Sequence, residues 1–266
     1  MKAQVLINST KYKLDFSKSL DLSIPILFNG KQPNTYGVEK ASAVAYQDNQ
    51  FIGDTRKGGP CNFETYNITP HCNGTHTECI GHITNERVSL LSSLNDTFIA
   101  STLISIIPKE TKGLYIPSLN PGDLIITKED LLELLGDTPD HLLEGLIIRT
   151  LPNSDYKKSQ DYMKSPPPFI SIDAMTYVRS RGVKHLLVDT PSVDRLLDEG
   201  KLSSHNIFWD TKNKDYNPNT KNFTITEMIF VDNHIIDGSY LLNLQIPAFV
   251  SDAAPSRPII FKLNEL

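Results

Sequence analysis

Three of the seven histidines of this 266-residue chain share one short run with a carboxylate: Pro70-His71-Cys72-Asn73-Gly74-Thr75-His76-Thr77-Glu78-Cys79-Ile80-Gly81-His82. A divalent cation needs donors that are already deprotonated near neutral pH, and neutral imidazole together with carboxylate supplies them. The spacing adds to the composition. His76, Glu78 and His82 share parity, so an extended segment would project all three from one face. A helical turn beginning near Glu78 would instead keep Glu78 and His82 adjacent as an i, i+4 pair. Cys72 obeys the same parity and His71 breaks it, but a bulge or turn at Asn73-Gly74 could bring His71 round to the same cavity. A single histidine in such a run is as readily a solvated surface ring; three with a glutamate at this spacing point to a metal site.

The elements that must position these donors are mixed. Ala3–Ile7, Tyr12–Phe16, Leu20–Leu27 and Ala41–Tyr46 read as strands separated by turn-rich segments such as Phe28-Asn-Gly-Lys-Gln-Pro33, and Ile99–Ile107 is a β-branched run stopped by Pro108. Thr127-Lys-Glu-Asp130 opens a helix with Leu131, Leu132, Leu134 and Leu135 on its apolar face and Gly136 at its end. Ser171 and Gly182 bracket a second helix. Gly145–Arg149 and Val183–Val188 read as buried strands following helices, and the last third returns to strands at Thr224–Val231, Tyr240–Ile246 and Pro258–Lys262. Pro166-Pro-Pro168 and Asp210–Asn222 are loops. Asp189-Thr-Pro-Ser-Val-Asp194 reads as a strand-to-helix corner with a helix opening at Ser192, forming a wall of the pocket.

Several function classes drop out. With 26 basic against 31 acidic side chains the net charge is −5, which argues against nucleic acid or an anionic membrane as partner. Gly58-Gly59-Pro60 is not a phosphate loop, GxGxxG and GxxxxGK[ST] are absent, and no GxSxG elbow offers a serine nucleophile. Cys61, Cys72 and Cys79 form no CxxC pair and are expected as free thiols. The start carries a five-residue apolar stretch, shorter than the about 7–15 of a signal-peptide core. No run approaches the roughly 20 apolar residues of a membrane span, so the expectation is a cytoplasmic protein. His141, His185 and His234 are expected as ordinary surface or core histidines. Phe208 and Trp209 could line an aromatic pocket, though packing is the commoner use.

The run from His71 to His82 resembles the motif H-x-G-T-H-x-D-x-P-x-H of the cyclase family of metal-dependent hydrolases, whose best known members are the bacterial kynurenine formamidases. Asp21-Leu-Ser-Ile-Pro25, Arg181-Gly-Val-Lys-His-Leu-Leu-Val-Asp-Thr-Pro-Ser-Val-Asp194, Glu227, Asp237-Gly-Ser-Tyr240 and Ala254-Pro-Ser-Arg257 extend the resemblance in the same order over nearly the whole chain. His76 and His82 match the second and third motif histidines. Glu78 stands where the family has Asp, and Cys79-Ile80-Gly81 lacks the motif's proline. Counting back from Gly74, the first motif position is Cys72, with His71 one residue early. Either His71 is kept by a one-residue insertion or Cys72 supplies a thiolate; His71 is favoured because imidazole binds without losing a proton, whereas a thiol near pKa of about 8.5 must ionise.

The resemblance implies a single α/β domain over residues 1–266, with a mixed, partly barrel-like sheet and flanking helices of the swivelling β/β/α type. It also implies that His205 and Glu227 complete a site for one or two Zn or Mn ions formed with His71, His76, Glu78 and His82. The implied activity is hydrolysis of a C–N bond in a small amide, a formamide such as N-formylkynurenine (tryptophan catabolism) or a cyclic amide by metal-activated water. His82, Glu78 or Glu227 would move the proton. The alternative is a catalytically weak metal- or ligand-binding relative. A homodimer or homotetramer is expected, with no nucleic-acid or membrane partner.

Overall fold

Along Gly145–Thr150 and His185–Val188 every side chain is buried, the pattern of strands covered on both faces. In the computed structural model, which describes residues 1–266, these strands pair in parallel with each other. Phe98–Ile106 joins one side and Thr224–Glu227 the other, also in parallel. Antiparallel strands extend both edges into a nine-stranded sheet. Its order is Ala253–Pro255, His76–Cys79, Thr224–Glu227, His185–Val188, Gly145–Thr150, Phe98–Ile106, Gly238–Asn243, Ile259–Lys262 and Leu20–Asp21.

Alternation along the strands assigns the two faces. Leu146, Ile148, Leu186 and Val188 pack with residues from three helices: Leu131 and Leu135 of Lys128–Leu135, Met175 and Val178 of Ile172–Ser180, and Phe208 and Trp209 of Ser203–Trp209. The intervening residues Ile147 and Leu187 join Ile99, Leu103, Tyr240, Leu242 and Ile260 in a second cluster. Same-face side chains of five neighbouring strands thus meet one another, and the sheet curls as the barrel-like expectation requires. The hairpin of Lys2–Ile7 and Thr10–Asp15 closes the outside, with Tyr12 and Leu14 against Ala100, Leu241 and Phe261.

Two helix starts act as read, while Gly136 ends the first helix in a right-handed conformation. Thr127 accepts from the Asp130 backbone N–H at 3.2 Å while Asp130 accepts from that of Thr127, a reciprocal capping box, and Ser171 accepts from the Ala174 N–H at 3.3 Å. Gly182 then takes a left-handed conformation past the second helix. The three cysteines are free thiols.

Three expectations need correction. The strand begun at Leu20 ends at Asp21, because the Asp21 carboxylate accepts both the backbone N–H and the hydroxyl of Ser23 and turns the chain. The strand begun at Thr224 ends at Glu227, where Met228 adopts a φ of 52° and donates its N–H to Thr190. No helix opens at Ser192: its hydroxyl accepts from the Asp194 N–H in a local turn, and the next helix begins at Ser203.

Candidate metal centre

The strand His76–Cys79 lies between Thr224–Glu227 and Ala253–Pro255, and all four of its side chains are buried. Antiparallel register sets His76 opposite Glu227, so the first residue of one strand meets the last of its neighbour on one face. Thr77 and Thr226 occupy the other face, with hydroxyls 2.8 Å apart. After Cys79 the chain tightens into a single 3-10 turn, Ile80–His82, which returns the His82 Nε2 to 3.8 Å from Glu78 Oε2. Extended parity thus places His76 and Glu78, and the i, i+4 relation places His82. Gly81 permits the turn, since a Cβ there would stand 2.0 Å from the Val88 carbonyl oxygen.

His71 arrives from the other side. The one-turn helix Pro70–Asn73 carries it to the cluster, with Nδ1 3.0 Å from Glu78 Oε2. Cys72 belongs to none of the donor groups, and burial followed by the charge of Glu227 pushes its thiol up to about 11. Of the two alternatives for the first motif position, the imidazole faces the cluster and the thiol stays protonated.

His205 lies on the helix Ser203–Trp209 and is aimed by Asp194. One Asp194 oxygen accepts from the Ser204 N–H and the Tyr115 hydroxyl, both at 2.7 Å; the other accepts from the His205 N–H at 3.1 Å and its Nδ1 at 2.6 Å. Asp194 therefore caps the helix and orients its histidine together. His205 Nε2 then lies 3.0 Å from Glu78 Oε1 and 3.7 Å from Glu227 Oε1. Glu227 is fixed in turn by the Val193 N–H at 3.0 Å.

One rule orders all four imidazoles: one nitrogen faces Glu78 or Glu227 and the other faces an outer acceptor. His76 turns Nε2 toward Glu227 at 3.5 Å and Nδ1 to the Gly74 carbonyl at 3.0 Å. His205 turns Nδ1 to Asp194, while His71 Nε2 and His82 Nδ1 face Asp252 at 3.1 and 3.5 Å. The outer acceptors hold a proton on each outward nitrogen, so the inward nitrogen is the one left to a cation, the arrangement of metal-ligating histidines, and carries a proton toward the carboxylate where no cation is bound.

Charge follows the same geometry. Burial would lift the Glu78 carboxyl, but the surrounding His82, His205 and His71 hold it well below its ordinary range. Burial opposes protonation of His71 and His205. Asp252 and Glu78 nevertheless raise His71 to about 10, and Asp194 and Glu78 raise His205 well above its usual value. Hydrogen bonds from His71 and His82 hold Asp252 far below the carboxylate range. Protons thus balance the carboxylates wherever a cation is absent.

Within the cluster the buried His76 Nε2 has no hydrogen-bond partner, and Glu78 Oε2 has only the His71 imidazole, 3.0 Å away. Both point into the cluster, and a cation is the group that satisfies an imidazole lone pair and a carboxylate oxygen together. The donors of His71, His76 and Glu78 lie within 4.8 Å of one another, as do those of Glu78, His82 and His205, so Glu78 is common to two possible metal positions. The donor set fits a divalent ion.

The sequence reading missed Asp252, although it lies just before the Ala254-Pro-Ser-Arg257 segment, and it assigned Asp194 to a corner rather than to His205. The remaining histidines lie elsewhere: His141 meets Asn8, His185 is buried against Thr224 and Asp96, and His234 pairs with Asp232 at the surface. Phe208 and Trp209 are core residues, and the Trp209 indole donates to the Phe223 carbonyl at 2.9 Å behind the His205 ring.

A family model described as "Putative cyclase" matches residues 20–195. A kynurenine formamidase of Bacillus cytotoxicus is 29% identical over 119 residues, 44% of this chain and 49% of the relative, so the match spans about half that relative's length. Among solved structures, a predicted metal-dependent hydrolase from Bacillus stearothermophilus superposes at a TM-score of 0.60 with 17% identity, covering 92% of this chain and 98% of that one. Isatin hydrolase A from Labrenzia aggregata superposes at 0.62 with 12% identity, covering 92% and 93%. At such identities these two likenesses establish the fold alone.

Proposed function

This chain belongs to the cyclase family, and from that premise we propose that it is a metal-dependent hydrolase cleaving the C–N bond of a small amide, formamide or cyclic amide. The observation that carries the reading is the convergence of four imidazole nitrogens on Glu78 and Glu227, with His76 Nε2 left without a hydrogen bond in the buried interior. The kynurenine formamidase relative and the isatin hydrolase neighbour, named for amide-type substrates, support it.

His71, His76 and Glu78 would hold one ion, and Glu78, His205 and Glu227 a second. Nitrogen-rich donors with two carboxylates suit Zn or Mn. A divalent ion bound there supplies Lewis acidity toward the substrate carbonyl and lowers the pKa of water to about 7. The protein does the rest. His205, locked by Asp194, and His76, locked by the Gly74 carbonyl, keep their inward nitrogens fixed. His82, 30% exposed on the rim, shares a donor group with Glu78 and His205 but is left free in this assignment to deliver a proton to the leaving nitrogen. Glu78 and Glu227 accept hydrogen bonds from the attacking water and orient it.

The test is hydrolysis of N-formylkynurenine, isatin and a panel of simple formamides and cyclic amides by protein stripped with chelator and reloaded with Zn or Mn. Turnover that vanishes on stripping and returns with metal is expected. Stoichiometric metal without turnover on any of them would leave a binding protein, and no bound metal would remove the reading.

A further inference from the structure

Both rim histidines turn their outer nitrogens to one side chain. Asp252 Oδ2 lies 3.1 Å from His71 Nε2 and 3.5 Å from His82 Nδ1, and the two rings stack with centroids 4.2 Å apart and planes 29° apart. The second Asp252 oxygen faces Arg87 at 3.7 Å. We infer that Asp252 is a positioning residue that fixes His71 as a metal ligand and His82 as the proton-transfer group in one shared orientation. This rests on the proposed metal-dependent function.

The backbone makes Asp252 a rigid reference. Its carbonyl accepts the Cys79 N–H at 3.0 Å, and the next residue, Ala253, is paired with Glu78 across the sheet edge. The acceptor is therefore tied to the strand that carries His76 and Glu78. The rings it orients are less firmly tied, on a one-turn helix and a 3-10 turn.

An imidazole with a carboxylate at one nitrogen keeps its proton there and its lone pair at the other. Without that acceptor the proton can occupy the inner nitrogen, which then cannot bind a cation, or the ring can turn about χ2. His71 also faces Glu78 at 3.0 Å, whereas the inward nitrogen of His82 is 3.8 Å from its nearest carboxylate. The His82 ring is thus the more dependent on Asp252. Losing Asp252 weakens metal binding through His71 and frees the orientation of His82, a pair of effects that loss of a mere packing contact does not produce.

The experiment compares wild type, Asp252→Asn and Asp252→Glu, each checked for folding by its thermal transition. Zn affinity is read by competition with a chelating dye, and ring tautomers by long-range 1H–15N correlation spectra of the Zn-loaded protein. Asn is expected to lose about 10–100-fold in Zn affinity, the size typical of outer partners of metal ligands. It should also convert His82 from a single Nδ1–H tautomer to a mixture. Glu, which keeps the carboxylate, is expected to recover most of the affinity and the single tautomer. Wild-type affinity and tautomers in the Asn variant, or equal losses in Asn and Glu, overturn the role of Asp252 alone. Wild-type protein that binds no Zn overturns the metal-dependent reading and this inference with it.

Discussion

The centre has a buried half and a rim. His76, Glu78, His205 and Glu227 have side chains no more than 4% exposed, whereas His71, His82 and Asp252 are 22–30% exposed. The buried donors sit on two paired strands and a helix, each anchored by a group outside the cluster or by paired backbone: the Gly74 carbonyl for His76, the Val193 N–H for Glu227, Asp194 for His205. The rim histidines sit on a one-turn helix and a 3-10 turn and hold mainly each other, Asp252 and Glu78. The difference teaches a division of labour. Rigid, desolvated donors suit a cation that must not leave, and on the rim, beside the ligand His71, the more exposed His82 suits proton exchange with substrate and solvent.

The hardest blow to that division is Glu78→Gln, which removes the donor common to both metal positions and leaves His71, His82 and His205 around a neutral group. Breaking a buried charged network of this kind costs about 3–5 kcal/mol. Loss of bound metal, loss of turnover and a lowered denaturation midpoint are all expected, and metal analysis showing normal content would refute the buried half as the holder.

His82→Ala addresses the rim. Turnover should fall about 10²–10⁴-fold, the usual share of a positioned acid or base, while metal content stays near wild type. If metal disappears in step with activity, His82 is a ligand beside His71 and the division fails.

Asp194→Asn leaves every donor in place but deprives His205 of its carboxylate, so metal affinity should drop about 10–100-fold by dye competition. An unchanged affinity would show that the Ser203–Trp209 helix aims His205 unaided.

The mildest probe is pH. Without a cation, and against its burial, Asp252 and Glu78 raise His71 to about 10, above its unfolded value of about 6.5. The stability it contributes is therefore fully present below about pH 6.5 and is lost as pH rises through 10. The melting temperature of stripped protein should decline across that window, and the increment gained on adding Zn should grow, because the cation no longer displaces a proton. An increment flat with pH would mean that His71 is not titrated by metal binding.

Much of the frame was legible because it is local. The β-branched runs at 99–107 and 145–149, the Thr127 and Ser171 caps and the turn glycine at 182 each act within a few residues, and each became the element expected. Where local grammar failed, a tertiary contact had displaced it: Met228 hydrogen-bonds Thr190 rather than extending its strand, and Asp194 caps a helix nine residues downstream rather than one at Ser192.

What the chain alone determined was the donor chemistry and the parity that puts His76 and Glu78 on one face, since side-chain alternation and i, i+4 adjacency are properties of a few consecutive residues. Family resemblance added His205 and Glu227 without saying how they arrive. The tertiary structure decided which imidazole faces the centre, that each ring has an outer acceptor, and that Asp252 closes the rim. Those outcomes depend on the antiparallel register of residues 76–79 with 224–227 and 253–255, partners some 150 residues or more away. Strand register over such distances is set by the packing of the whole sheet, and no local window of sequence contains it.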